Sequence, residues 1–94
     1  MELTITHDKE NQQFIALLEG KVATLKYSSL VDGKTLDYYR TFVPPELRER
    51  HIGGALVKFA LEFALQNNYK VIPSCPFIRR YVNQHSVYKK ILVF

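Results

Sequence analysis

Two stretches and a pair of aromatic residues in this chain are of types that do chemistry. In Arg48-Glu49-Arg50-His51-Ile52-Gly53-Gly54, two arginines and a glycine pair stand where alternating sequence gives way to a long helical period. A helix start offers unpaired N–H groups and the positive end of the helix dipole, which suits an anion. Gly53 and Gly54 remove the side chains that would hold a phosphate off the backbone. The spacing predicts a strand–loop–helix phosphate cradle with Arg48, Arg50, His51, Ile52, Gly53 and Gly54 around it. The plainer alternative is a solvated basic turn whose glycines allow close packing. The second stretch is Pro73-Ser74-Cys75-Pro76. Pro76 fits the first position of a helix, which makes Cys75 its N-cap and sets the sulfur at a positive helix end. That placement lowers a thiol pKa and favours the thiolate, with Arg79 and Arg80 adding to the field if they point back. The competing expectation is an inert packing cysteine. The aromatic pair, His85 and Tyr88, offers a proton donor or acceptor near the end of the chain, and a packing tyrosine is the alternative for Tyr88.

The Arg48-x-x-His51-x-Gly53-Gly54 pattern resembles the Arg/Gln-x-x-Gly-x-Gly/Ala signature of the GCN5-related N-acetyltransferases, with His51 in place of the first glycine. The resemblance extends over Pro44-Pro45-Glu46-Leu47-Arg48, Ile52 to Val57, Val71 to Phe77, and Arg80-Tyr81…His85…Tyr88. It is strongest from Thr41 to Tyr88 and points to a small single-domain branch of that family. It implies that the loop amides hold the pyrophosphate of acetyl-coenzyme A and that Cys75 lies close to the sulfur end of the cofactor. Cys75 would then carry an acetyl intermediate or position the cofactor. Ser74 would cap the last helix or bond the cofactor's amide chain. Tyr88 would protonate the leaving thiolate. The acceptor implied is an amine on a small molecule or a peptide. A module that holds coenzyme A without turnover is the rival reading, because no general-base carboxylate stands out and the acceptor-framing helices of larger relatives are missing.

Composition narrows the alternatives. Ninety-four residues suit one domain spanning 1–94, with nearly half of them hydrophobic. A single cysteine cannot form an internal disulfide, and no Cys/His cluster has zinc spacing, so no metal is expected. The opening Met1-Glu2-Leu3-Thr4 has no signal-peptide character, and no apolar run reaches the ~20 residues of a membrane helix. A cytoplasmic protein, monomeric or weakly dimeric, is expected. The net charge of +4 is spread out rather than run together. That favours a compact phosphorylated ligand over a nucleic-acid track.

The elements that must position these residues are set by periodicity. Leu3–His7, Gln13–Leu18, Lys21–Ser29 and Thr35–Val43 read as strands, joined by turns at Asp8–Asn11, Glu19-Gly20 and Asp32-Gly33. Gln13–Leu18 is apolar on both faces and reads as central. Pro44-Pro45 stops the ladder. Ile52, Ala55, Leu56, Phe59, Ala60, Phe63 and Ala64 form a helical stripe, Lys58 and Glu62 pair on the other face, and Asn67-Asn68 ends the helix. Lys70–Pro73 is a further strand that completes a right-handed βαβ unit, and Pro76–Val82 is a second helix. Ile91–Phe94 is a last strand or an apolar tail. The fold class expected is α+β: an antiparallel meander leading into a βαβ cofactor unit and a C-terminal helix, a minimal version of the acetyltransferase fold that the resemblance implies.

Overall fold

Alternation decides the two faces of the sheet. In the computed structural model, which describes residues 3–93 apart from the side chain of Glu49, the meander is β1 (Thr4–Asp8), β2 (Gln13–Leu18), β3 (Lys21–Ser29) and β4 (Thr35–Phe42). A 3₁₀ segment (Pro45–Arg50) leads into helix α1 (Ile52–Gln66), followed by β5 (Lys70–Ile72), helix α2 (Pro76–Gln84) and a second 3₁₀ segment (Ser86–Ile91). The strands lie in the order β1-β2-β3-β4-β5, antiparallel except for the parallel β4–β5 pair. Phe14, Ala16 and Leu18 of β2, Ala23, Leu25 and Tyr27 of β3, and Leu36 and Tyr38 of β4 are buried on one face. Helix α1 packs on that face against β2, β3 and β5.

Among the described residues no helix covers the opposite face. Leu17, Val22 and Phe42 there are 45%, 43% and 44% exposed. Strand β2 is interior, between β1 and β3, rather than the middle strand, and the expectation that both its faces are covered is corrected: among the described residues no second layer lies over Ile15 and Leu17.

Helix α1 also differs in rotation from the expected stripe. Its buried residues are Ile52, Gly53, Leu56, Val57, Ala60, Leu61 and Ala64, whereas Phe59 and Phe63 sit at the margin against Phe14. The physical reason is a second set of neighbours. Helix α2 and the 3₁₀ segment Ser86–Ile91 also contact α1, so Val57 and Leu61 are covered as well. The helix ends as the asparagines predict: Asn68 is left-handed (φ 62°), and the Tyr69 amide bonds the Ala64 carbonyl at 2.9 Å.

Two other boundaries move. The proline-led loop after β4 is a 3₁₀ helix rather than irregular chain. The C-terminal strand is reduced to a bridge between Leu92 and Val71, and Phe94, like Met1 and Glu2, lies outside the described residues. No described helix is long and apolar enough to cross a membrane.

Candidate active site

The site is built where β4 outruns β5. Along β4, strand β5 pairs with Thr35–Asp37, and the Cys75 amide then bonds the Tyr38 carbonyl at 3.1 Å. Past that point the chain turns into α2 and leaves the end of β4 without a strand partner on that side. A β-bulge falls at the same level: Tyr27 pairs with Tyr38 but Lys26 pairs with Arg40, so Tyr39 is an extra residue. A bulge bends its strand and re-aims the side chains beyond it. Thr41 consequently lies opposite Leu25 on the core side.

A cleft opens between this strand end and the helices. One part, about 390 Å³, is lined by Val43, Arg48, His51, Gly53, Gly54, Phe77, Tyr81, Gln84 and His85. An adjoining part, about 360 Å³, is lined by Thr41, Phe42, Val43, Arg48, Phe77 and Arg80. Val43, Arg48 and Phe77 belong to both, so the two parts meet at these residues.

The structure brings together most of the predicted cradle. His51 adopts a left-handed conformation (φ 58°, ψ 24°), joining the 3₁₀ turn to α1 in the place of the signature's first glycine. Its carbonyl accepts the Ala55 amide, and no side chain caps the helix, so the amides of Ile52, Gly53 and Gly54 form its uncapped first turn. Ile52 contributes only its backbone, because its side chain is buried. The two glycines divide the two expected roles. A Cβ on Gly53 would lie 3.0 Å from Phe77 Cζ and 3.4 Å from Val43 Cγ2, so that glycine permits close packing. A Cβ on Gly54 would meet only Tyr81, at 3.9 Å, and would occupy the cleft itself.

The arginines separate. Arg48 lines both parts of the cleft and is held by a bond from Nε to the Val43 carbonyl at 2.9 Å. Arg50 turns to Glu19, with Nη2 3.1 Å from Oε2, and lines neither part. Arg79 points back as expected, bonding the Pro73 and Ser74 carbonyls at 2.9 Å, and Arg80 lies 5.9 Å from the Phe77 ring centre.

Cys75 is the N-cap of α2, with Pro76 at the first helical position. The residue is 7% exposed, and its sulfur lies 3.6 Å from the Thr41 hydroxyl. Burial alone would raise the thiol pKa, but hydrogen bonds from Thr41 and from the Ile78 and Phe77 amides outweigh it, and the net shift is downward. Ser74 neither caps α2 nor faces the cleft: its hydroxyl donates to Asp37 at 2.6 Å. Tyr88 is buried and donates to Glu62 at 2.7 Å; burial and this bond raise its pKa, and it lines neither part of the cleft. Glu62 thus meets Tyr88 rather than the expected Lys58. His85 lines the cleft, stacked on Tyr81 at 4.0 Å.

Phe77 and Tyr81, which the sequence reading did not select, form the cleft's α2 wall. They are four residues apart on one helix face, and that spacing was the available signal. Thr41 had no such signal, since only the bulge turns it inward. Among the described residues, no group of three or more His, Cys, Asp or Glu is placed to hold a metal.

A family model described as GCN5-related N-acetyl-transferase matches residues 13–91. Protein NATD1 of Danio rerio is 36% identical over 85 residues, covering 88% of this chain and 76% of its own length. The human protein of the same name is 32% identical, covering 88% and 74%. A solution NMR structure from Staphylococcus aureus, described as a GCN5-like candidate N-acetyltransferase, superposes with a TM-score of 0.73 at 27% identity. That likeness covers 97% of this chain and 88% of the other.

Proposed function

Since the chain belongs to the GCN5-related N-acetyl-transferases, we propose that it transfers the acetyl group of acetyl-coenzyme A to an amine, with the cofactor lying along the β4–α1–α2 cleft. The observation that carries this reading is the continuity of the cleft. It runs from the uncapped amides of α1, past Val43, Arg48 and Phe77, to Thr41, whose hydroxyl touches the Cys75 sulfur.

The residues present fit such a ligand. Position 54 is open where a Cβ would fill the cradle, the first-turn amides suit a pyrophosphate, and Arg48 adds a cation. Arg48, His51, Gly53 and Gly54 would hold the pyrophosphate, Ile52 through its amide, while Phe77 and Tyr81 give the pantetheine arm an apolar wall. Bound there, acetyl-coenzyme A supplies a thioester, from which transfer to an ammonium acceptor forms an amide and breaks a carbon–sulfur bond, one proton going to the departing sulfur and one to solvent. Cys75 stands at the reacting end, its sulfur biased towards the thiolate by Thr41 and the α2 amides.

A second reading, retention of coenzyme A without turnover, rests on one observation: the Tyr88 hydroxyl is engaged by Glu62 and does not line the cleft. Turnover separates the two readings. Coenzyme A should raise the melting temperature in both, by about 2.7 kcal/mol of stabilisation at one hundred times Kd. Labelled acetyl-coenzyme A offered with a panel of amines should give acetylated product only if the chain is an enzyme. Absence of any thermal shift at millimolar coenzyme A would overturn both.

A further inference from the structure

Helix α2 walls a second cavity on the face opposite the cleft. Phe77, Arg80, Tyr81 and Gln84 are its cleft residues, whereas Arg79, Val82 and Asn83, at i, i+3 and i+4, line a separate hollow of about 410 Å³. Pro73, Lys89 and Leu92 complete that lining, and the two hollows share no residue. Pro73 and Val82 are buried and Leu92 is half-buried, which gives an apolar floor. Arg79, Asn83 and Lys89 are exposed and form the rim.

The guanidinium on that rim is held in place. Arg79 Nη1 donates to the Pro73 and Ser74 carbonyls, both at 2.9 Å, and so is pinned to the turn before α2. Among the described residues its Nε and Nη2 groups have no partner, and neither has the Lys89 ammonium. The Nε–Nη2 edge of a fixed guanidinium matches the two oxygens of a carboxylate.

Charge points the same way. Every Asp and Glu of the chain lies at or before Glu62, while Lys70, Arg79, Arg80, Lys89 and Lys90 follow it. Two carboxylates are bonded to this last third, Asp37 to the Ser74 hydroxyl and Glu62 to the Tyr88 hydroxyl, and neither lines the cavity. An amine is repelled there. A bare inorganic anion would leave the floor uncovered, and an uncharged hydrocarbon would leave both cations unmatched.

We propose that this cavity is a second ligand site, which takes a small carboxylic acid with an apolar body. Arg79 and Lys89 hold the carboxylate, and the hydrocarbon lies on Pro73, Val82 and Leu92. The site does not rest on the acetyl-transfer reading, because it stands apart from the cofactor cleft.

The test titrates the whole chain with hexanoate, with and without saturating coenzyme A, and follows it by amide NMR. Shifts are expected at Val82, Asn83, Lys89 and Leu92, unchanged by coenzyme A and weakening as sodium chloride rises. Arg79→Gln should weaken hexanoate about tenfold, since it removes a charged hydrogen-bonding partner. Lys89→Gln should weaken it about two- to fivefold, as expected for an exposed ion pair. Arg79→Gln also releases the Pro73 and Ser74 carbonyls, so Lys89→Gln, which breaks no described bond, decides the matter if the first variant misfolds. Absence of shifts at those amides, shifts centred on His51 and Gly54 that coenzyme A removes, or unchanged affinity in Lys89→Gln would overturn the proposal. So would hexan-1-ol or inorganic phosphate binding as tightly as hexanoate.

Discussion

The Phe77 ring occupies the space that a side chain at position 53 would need: a Cβ built on Gly53 lies 3.0 Å from Cζ and 3.1 Å from Cε2. The ring also stands where the two parts of the cleft meet. Packing of α1 against α2 and the shape of the cleft are therefore settled by one contact. A ring shifted to make room at 53 would also move the wall of the cleft.

Gly53 and Gly54 should accordingly respond in different ways. Gly53→Ala overpacks the Phe77 contact and should cost about 1–3 kcal/mol in denaturant unfolding. Gly54→Ala should leave stability unchanged or raise it by up to about 1 kcal/mol, since a helical glycine is replaced and only Tyr81 is near. Coenzyme A binding should nevertheless weaken in Gly54→Val, measured by calorimetry. Undiminished affinity there would place the pyrophosphate elsewhere.

His51 holds a conformation that costs an L-residue about 1–2 kcal/mol. His51→Gly removes that strain but adds about 0.4–1 kcal/mol of unfolded-state entropy. The denaturation midpoint should therefore rise modestly or stay level, with coenzyme A binding equal or tighter. A clear loss of affinity would show that the imidazole, which lines the cleft, makes a ligand contact of its own.

Cys75 should alkylate with iodoacetamide along a pH curve whose midpoint lies below that of a free thiol, because hydrogen bonds hold its pKa down. Thr41→Val removes the largest of these and should move the midpoint up. Bound coenzyme A should protect the sulfur. One added acetyl mass after exposure to acetyl-coenzyme A, absent in Cys75→Ala, would identify a covalent intermediate. Full turnover in Cys75→Ala would reduce the residue to packing.

His7 supplies a pH dependence unconnected with catalysis. Its Nε2 is 2.7 Å from the Tyr27 hydroxyl, and its ring packs on Phe14 and Phe63. Burial, and then Lys9, lower its pKa below 6.5, against a smaller opposing effect of Asp8. Below 6.5 the unfolded chain binds the proton more readily than the folded one, so this stability is complete above 6.5 and is lost as pH falls through the folded value. Asp8 and Asp32, both lowered from 3.8, act only in more acid solution. Melting temperature should fall from pH 7 to 5, and His7→Gln should flatten that slope.

Much of the fold was legible because local signals agreed with it. Strand β3 and the start of α1 fall where alternation and period place them, and Asp32 organises its turn through bonds to the Lys34 and Thr35 amides. That Arg48, His51, Gly53 and Gly54 come together at one cleft was legible too. Arg50 was not, because its choice of Glu19 depends on a turn thirty-one residues earlier in the chain. The rotation of α1 was hidden for a similar reason. Which apolar residues a helix buries depends on how many layers cover it, and a single stripe cannot report that.

The extra residue in β4 acts as a phase shifter for the chain. Before Tyr39, odd-numbered Asp37 faces outward; after it, odd-numbered Thr41 faces the core. Were Tyr39 to take its turn opposite Lys26 instead, parity would run on unbroken. Arg40 would be carried into the apolar interior opposite Leu25, and the Thr41 hydroxyl would turn out to solvent. The Cys75 sulfur would lose its partner without any change to Cys75 itself. One residue of slack in the ladder, rather than any side chain, keeps the Thr41–Cys75 contact in register.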